Sequence, residues 1–200
     1  MKKILMSIHP EWCEKIFNGE KTIEVRKTRP KLEPPFEVYV YCTRSRLHLY
    51  KSPNNGEVFL DRINGYMGDD YDRYLTGKVI GTFVCDKVEK FTVGGLRSDD
   101  IEHQARLSYS ELINYFYNSK EPYGETVKWG YGWHITEPKL LDKPRYVWSF
   151  MPWCEKYFSS NDPLKECCDC EKALIDEEGV FFGCRIISPP QSWCYVEEEE

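Results

Sequence analysis

An α+β fold is expected of this 200-residue chain: a small, partly closed β-barrel with short flanking helices, followed by a Cys-rich C-terminal extension. Three features point to it. Apolar residues alternate with period two in several short segments, as half-buried strands do, while a few intervening stretches repeat at helical spacing. Gly81 interrupts the longest β segment, where a small barrel needs a bend or a close backbone approach. Six of the nine cysteines fall after residue 150, which sets that region apart from the rest.

The elements follow in order. Residues 2–8 read as a short strand with an apolar bias. Pro10 suits the first turn of a helix, where its missing N–H costs nothing. Trp12, Cys13, Ile16 and Phe17 share one side of that helix, and Gly19 is placed to stop it. Residues 22–27 form a strand with Ile23 and Val25 on one face and Glu24 and Arg26 on the other. Pro30, Pro34 and Pro35 mark a loop, and residues 36–42 form a second strand in which Val38, Val40 and Cys42 alternate with Tyr39 and Tyr41. Residues 51–77, rich in Asn, Gly, Asp and Tyr, read as a long loop or insertion. Residues 78–91 read as one long β segment. A helical stretch opens at Ser98, and Ser108 with Glu111 makes a capping box for another, whose apolar stripe is Leu112, Tyr115 and Phe116. Residues 129–141 return to β character, with Trp133 and Ile135 on one phase and His134 and Thr136 on the other. Residues 144–150 read as another strand or an extended segment.

Composition narrows the function classes. No apolar run approaches the roughly 20 residues that span a bilayer, and residues 1–10 lack a signal-peptide core. A cytoplasmic chain with reduced thiols is expected. The formal net charge of −6 argues against strong non-specific binding to a phosphate backbone. The charge is uneven, however. Residues 1–50 carry ten Lys/Arg against six Glu, so a polyanion site is expected near the N-terminus, and Glu197–Glu200 reads as a solvated acidic tail.

Gly19, Lys21, Glu24 and Arg26 together resemble the G-x-K-x-x-E-x-R signature of the ASCH family within the PUA-like superfamily. The Tyr-rich strand at 38–43, Gly77-Lys78-Val79-Ile80-Gly81 and Gly132-Trp133-His134-Ile135 follow in the order that family shows. Residues 138–144 and Pro189-Pro190-Gln191-Ser192-Trp193 resemble a phage and prophage subgroup. The resemblance implies a PUA-like ASCH domain over residues 1–150, with 151–200 as the extension. It also implies RNA or a nucleotide as the partner.

The motif has a chemical reading of its own. Lys21 at the barrel rim and Arg26 suit phosphate or a base edge, and Glu24 can accept from an exocyclic amine or hold Arg26. Lys27, Tyr41, Arg44 and Trp133 complete the expected binding set, the aromatics as a stacking surface for an unpaired base. Against this stands a plain ion pair on a solvated strand face, with the aromatics as core.

If the chain is an enzyme, Lys21 and Glu24 are its candidate catalytic residues, acting as general acid and base through a water on a modified nucleoside or on RNA. A related amidohydrolase pairs its Lys with a Thr three residues on. Here that position is Glu24, so its acyl chemistry does not transfer. Cys167, Cys170, Cys184 and Cys194 are the candidate ligands of a structural zinc, for which Cys167-x-x-Cys170 has the spacing. A second close pair is missing, and no other cofactor is expected. A third possibility is a protein-interaction role for the acidic, Cys-rich extension.

Overall fold

The computed structural model describes residues 2–62, 73–94, 98–117, 127–152, 173–175, 181–184, 186 and 188–198. Its main sheet has six strands: β1 (Lys3–Ile8), β3 (Phe36–Cys42), β6 (Val79–Cys85), β9 (Thr136–Arg145), β10 (Phe150–Pro152) and β13 (Trp193–Glu198). They lie in the order β10-β13-β1-β3-β6-β9. β1 and β3 run parallel, with Ile4 opposite Val38 and Ile8 opposite Cys42, and the other pairings are antiparallel. A parallel pair needs a crossover. Helix α1 (Pro10–Phe17) and strand β2 (Ile23–Arg26) supply it, and β2 joins β7 (Val88–Thr92) and β8 (Trp129–His134) in a second sheet of order β2-β8-β7.

Strand parity builds two cores on the main sheet. Ile4, Met6, Ile8, Val38, Val40 and Cys42 point to one side and pack against Cys13 and Ile16 of α1. Leu5, Tyr39, Tyr41 and Val196 point to the other, against Val147 and Phe150. A third cluster lies under helices α2 (Ser98–Ala105) and α3 (Tyr109–Phe116), where Ile23 and Val25 meet Ile101, Ala105, Leu112 and Phe116. Because Ile23 and Val25 enter that cluster, Glu24 and Arg26 must face the opposite way. The capping box on α3 forms as expected: Glu111 N donates to Ser108 Oγ at 3.3 Å, and Ser108 N donates to Glu111 Oε2 at 2.8 Å.

Gly81 marks a close approach. A Cβ there would sit 2.5 Å from the Lys139 carbonyl oxygen and 2.5 Å from the Phe17 ring. α1 rests on the sheet only because this position is bare.

Several expectations are corrected. Residues 51–77 are not one loop, because β4 (His48–Lys51) and β5 (Val58–Asp61) form a hairpin, and Tyr74 bridges to Tyr50. Alternate hairpin residues Leu49 and Val58 are buried, which gives the hairpin a core-facing side. The segment 78–91 is two strands in different sheets, β6 and β7, broken at Asp86-Lys87, and 129–141 splits likewise between β8 and β9 at Ile135. Each hydrogen-bonded sheet has two ends, so the strands form no closed barrel among the described residues.

Residues 193–198, assigned by sequence to the extension and its acidic tail, form the strand β13 between β1 and β10. A further hairpin, β11 (Ala173–Ile175) with β12 (Phe181–Cys184), comes from the same region. No helix among the described residues is long and apolar enough to cross a membrane.

Candidate functional site

The first helix ends at Gly19, in the left-handed region at φ 77°. The turn is fixed by Glu20 N and Lys21 N, which both donate to the Lys15 carbonyl. Thr22 N then donates to the Gln104 carbonyl, which locks the start of β2 against the end of α2. This places the Lys21 amine at the C-terminus of α2. Its Nζ donates to the Ala105 carbonyl at 2.6 Å, at the helix end that favours a cation.

Lys21 Nζ also lies 3.4 Å from Glu24 Oε2 and 5.1 Å from the centre of the Trp12 ring. Glu24 Oε1 accepts from Arg26 Nη2 at 2.9 Å. Arg26 reaches further: Nη2 donates to the Ser7 carbonyl at 2.7 Å, and Nη1 donates to Ser192 Oγ at 3.2 Å.

The trio is almost fully covered, with relative exposures of 2% for Lys21, 7% for Glu24 and 7% for Arg26. Burial lowers the pKa of Lys21, and the attraction of Glu24 offsets part of that shift. Glu24 accepts from both cations. Without it, two buried positive charges would share the site.

The trio borders a cavity of about 500 Å³. Trp12 of α1 forms one wall, Glu111, Asn114 and Tyr115 of α3 another, and Gln191 and Ser192 a third. The last wall is a strap leading into β13. It is held by Ser7, whose N donates to the Ser192 carbonyl at 2.9 Å and whose Oγ donates to the Pro190 carbonyl at 2.6 Å. Hydrogen bonds from the Ser108 side chain and backbone, and less strongly the nearby Lys15 charge, hold the Glu111 pKa below its ordinary value. With Lys21 protonated, two cations and two carboxylates line the cavity, so its charge balances.

The other sequence-chosen residues scatter. Lys27 is exposed and is not part of the cavity lining, although its Nζ lies 5.0 Å from the centre of the Tyr115 ring, which is. Arg44 is exposed and lies against Gly77, outside the cavity lining. Tyr41 is buried on the far face of β3 with Val147 and Phe150, because its parity is opposite to that of Val40 and Cys42. Trp133 sits directly across from Glu24 in the β2–β8 ladder and is fully buried. Its ring meets Phe36 edge-on at 5.6 Å, and its Nε1 donates to the Thr28 carbonyl at 3.4 Å. Neither Tyr41 nor Trp133 is placed to stack on a ligand, since both spend their rings on core contacts. The ring edges that do border the cavity belong to Trp12 and Tyr115, which the sequence marked only as helix packing.

The zinc expectation falls mostly outside the described residues. Cys167 and Cys170 lie outside them, Cys184 is described only through the backbone of β12, and Cys194 is half-buried in β13 and forms no disulfide among the described residues. Among the described residues no three His, Cys, Asp or Glu side chains are grouped to hold a metal.

A family model described as ASCH domain matches residues 6–128. The fold is similar to the crystal structure of ASCH from Zymomonas mobilis, at 17% identity and a TM-score of 0.52, covering 98% of this chain and 87% of that one. Two single-residue mutants of that protein are similar at 16% identity, with TM-scores of 0.53 and 0.52 and coverage of 98% of this chain and 91% and 88% of theirs. No curated protein matches the chain.

Proposed function

Because the chain belongs to the ASCH domain family, we propose that it binds single-stranded RNA or a nucleotide in the cavity beside Lys21, Glu24 and Arg26. The observation that carries this reading is the buried trio bordering a cavity of about 500 Å³. That volume lies within the range of small-molecule sites. Trp12 and Tyr115 offer ring surface to a heterocycle, and the exposed Lys27 beside Tyr115 offers a cation to phosphate.

Fluorescence anisotropy with a labelled 12-nucleotide RNA of mixed sequence, and thermal shift with nucleosides and nucleoside monophosphates, test it. Binding or stabilisation is expected with the native chain and should be lost in Glu24→Gln under conditions where that variant stays folded. Unchanged binding by a folded Glu24→Gln chain would remove the cavity from the account.

One observation favours a second reading, a hydrolase acting on a modified nucleoside or RNA. Lys21 is a buried amine with a lowered pKa next to a carboxylate, the pairing that general acid–base work uses. Release of product that is abolished in Lys21→Met, while binding persists, is the outcome that selects it.

A further inference from the structure

We propose that the residues selecting the ligand are Asn114 and Gln191, and that they read an uncharged planar heterocycle. This rests on the binding role proposed above and names what the same cavity recognises.

Most polar groups around the cavity are already committed to protein partners. Lys21 donates to the Ala105 carbonyl and Glu24, and both oxygens of Glu24 hold cations. Ser7 Oγ is used on Pro190, Ser192 Oγ accepts from Arg26, and one ring nitrogen of His9 lies 3.2 Å from Thr43 Oγ1. The Tyr115 hydroxyl is engaged by the Lys27 backbone, and Glu111 Oε2 accepts from Ser108.

Of the lining groups left for a guest, Trp12 Nε1, the second ring nitrogen of His9 and Glu111 Oε1 each offer a single role, donor or acceptor, whereas two side chains offer both. Asn114 and Gln191 each line the cavity with an exposed amide that makes no hydrogen bond among the described residues. Arg26 Nε also has no partner, but it is covered and so closed to a guest, while the rest of its guanidinium is already paired.

The chemistry of these two amides specifies the guest. A primary amide presents a donor and an acceptor side by side in one plane, and so matches a heterocycle edge carrying both. Because the lining charges balance, an anionic group would enter against Glu24 and Glu111 without any uncommitted cation to meet it. The guest is therefore neutral where it touches the interior. Asn114 sits on α3, and Gln191 lies beyond residues 6–128, so one reader stands outside the segment that defines the family.

Anisotropy with labelled U12, C12 and A12 RNA tests this on the full chain, using the native protein, Asn114→Ala, Gln191→Ala and the double variant. Loss of a discriminating hydrogen bond corresponds to roughly five- to tenfold in affinity. The native chain should separate the best from the worst homopolymer by at least that factor. The double variant should bind all three alike with its melting temperature unchanged, since neither amide is buried or paired. A double variant that keeps the native ranking overturns this inference and leaves the binding role standing, as do equal native affinities for all three. A native chain that binds no RNA, nucleoside or nucleotide removes the binding role and this inference together.

Discussion

Replacing Glu24 by Gln removes one charge, keeps the shape, and leaves two covered cations facing each other. At an effective dielectric near 20, each of the two attractions Glu24 makes is about 5 kcal/mol. Desolvation cancels most of that, and breaking a buried pair by removing one partner costs about 3–5 kcal/mol. Lys21 has a way out that Arg26 lacks, because it can lose its proton. Its pKa is already lowered by burial, and Glu24 is what holds it up, so the substitution drives it lower still. We therefore expect a loss of about 3 kcal/mol near pH 7, at the low end of the range for a broken buried pair.

The sign with pH follows from the same shift. Where the unfolded chain binds more protons than the folded one, stability rises with pH. For Lys21 that window lies between its depressed folded pKa and its ordinary value of 10.5. The window extends to lower pH in Glu24→Gln, so the variant's deficit should shrink between pH 7 and pH 9. Urea unfolding of both proteins at the two pH values measures it, with slopes compared to exclude a change in the unfolded state. A deficit below about 1 kcal/mol at pH 7, or one that grows with pH, would refute a buried and coupled trio.

Two other perturbations probe the frame. Gly81→Ala should destabilise by about 1–3 kcal/mol, because its methyl would meet the Lys139 carbonyl and the Phe17 ring at 2.5 Å. Calorimetry reads this, and a neutral result would mean that α1 does not lie on β6 as described. Cys13 and Cys85 should resist iodoacetamide at pH 8 in the folded chain, since burial pushes the Cys13 thiol up and the Cys85 thiol up to about 12. Peptide mapping by mass spectrometry checks this, and rapid labelling of either thiol under native conditions would contradict the packing of the first core.

Local signals carried the parts of this fold that the sequence revealed. The stop at Gly19, the parity of Ile23-Glu24-Val25-Arg26 and the Ser108–Glu111 box are each decided within a few residues, and each is realised. The hairpin of β4 and β5 was hidden because its turn dipeptide, Asn55-Gly56, lies among many other Asn, Gly and Asp residues. The division of 78–91 was hidden for a different reason. A strand keeps its period when it passes from one sheet to another, and only Asp86-Lys87 punctuates the change. Tyr41 and Trp133 show the limit for aromatics, since a ring on a strand has the same pattern whether it faces a ligand or a core. The strap was out of reach altogether: the bond from Ser7 to Pro190 spans 183 residues, and no periodicity encodes such a contact.

The trio's internal saturation bears on how variants at this site should be interpreted. Lys21, Glu24 and Arg26 direct nearly all their hydrogen bonds at each other and at the backbone of β1 and α2. Groups already paired in the free protein gain little from a ligand, and removing one of them disturbs the fold and the cavity together. Groups that are exposed and unpaired behave in the opposite way, because they lose only water when a guest arrives and nothing structural when deleted. Stability and affinity should therefore fall together for substitutions in the trio and separate for substitutions at Asn114 and Gln191. If Asn114→Ala lowered the melting temperature as much as Glu24→Gln does, the separation of frame from reader would fail, and recognition would have to be sought in the charged residues themselves.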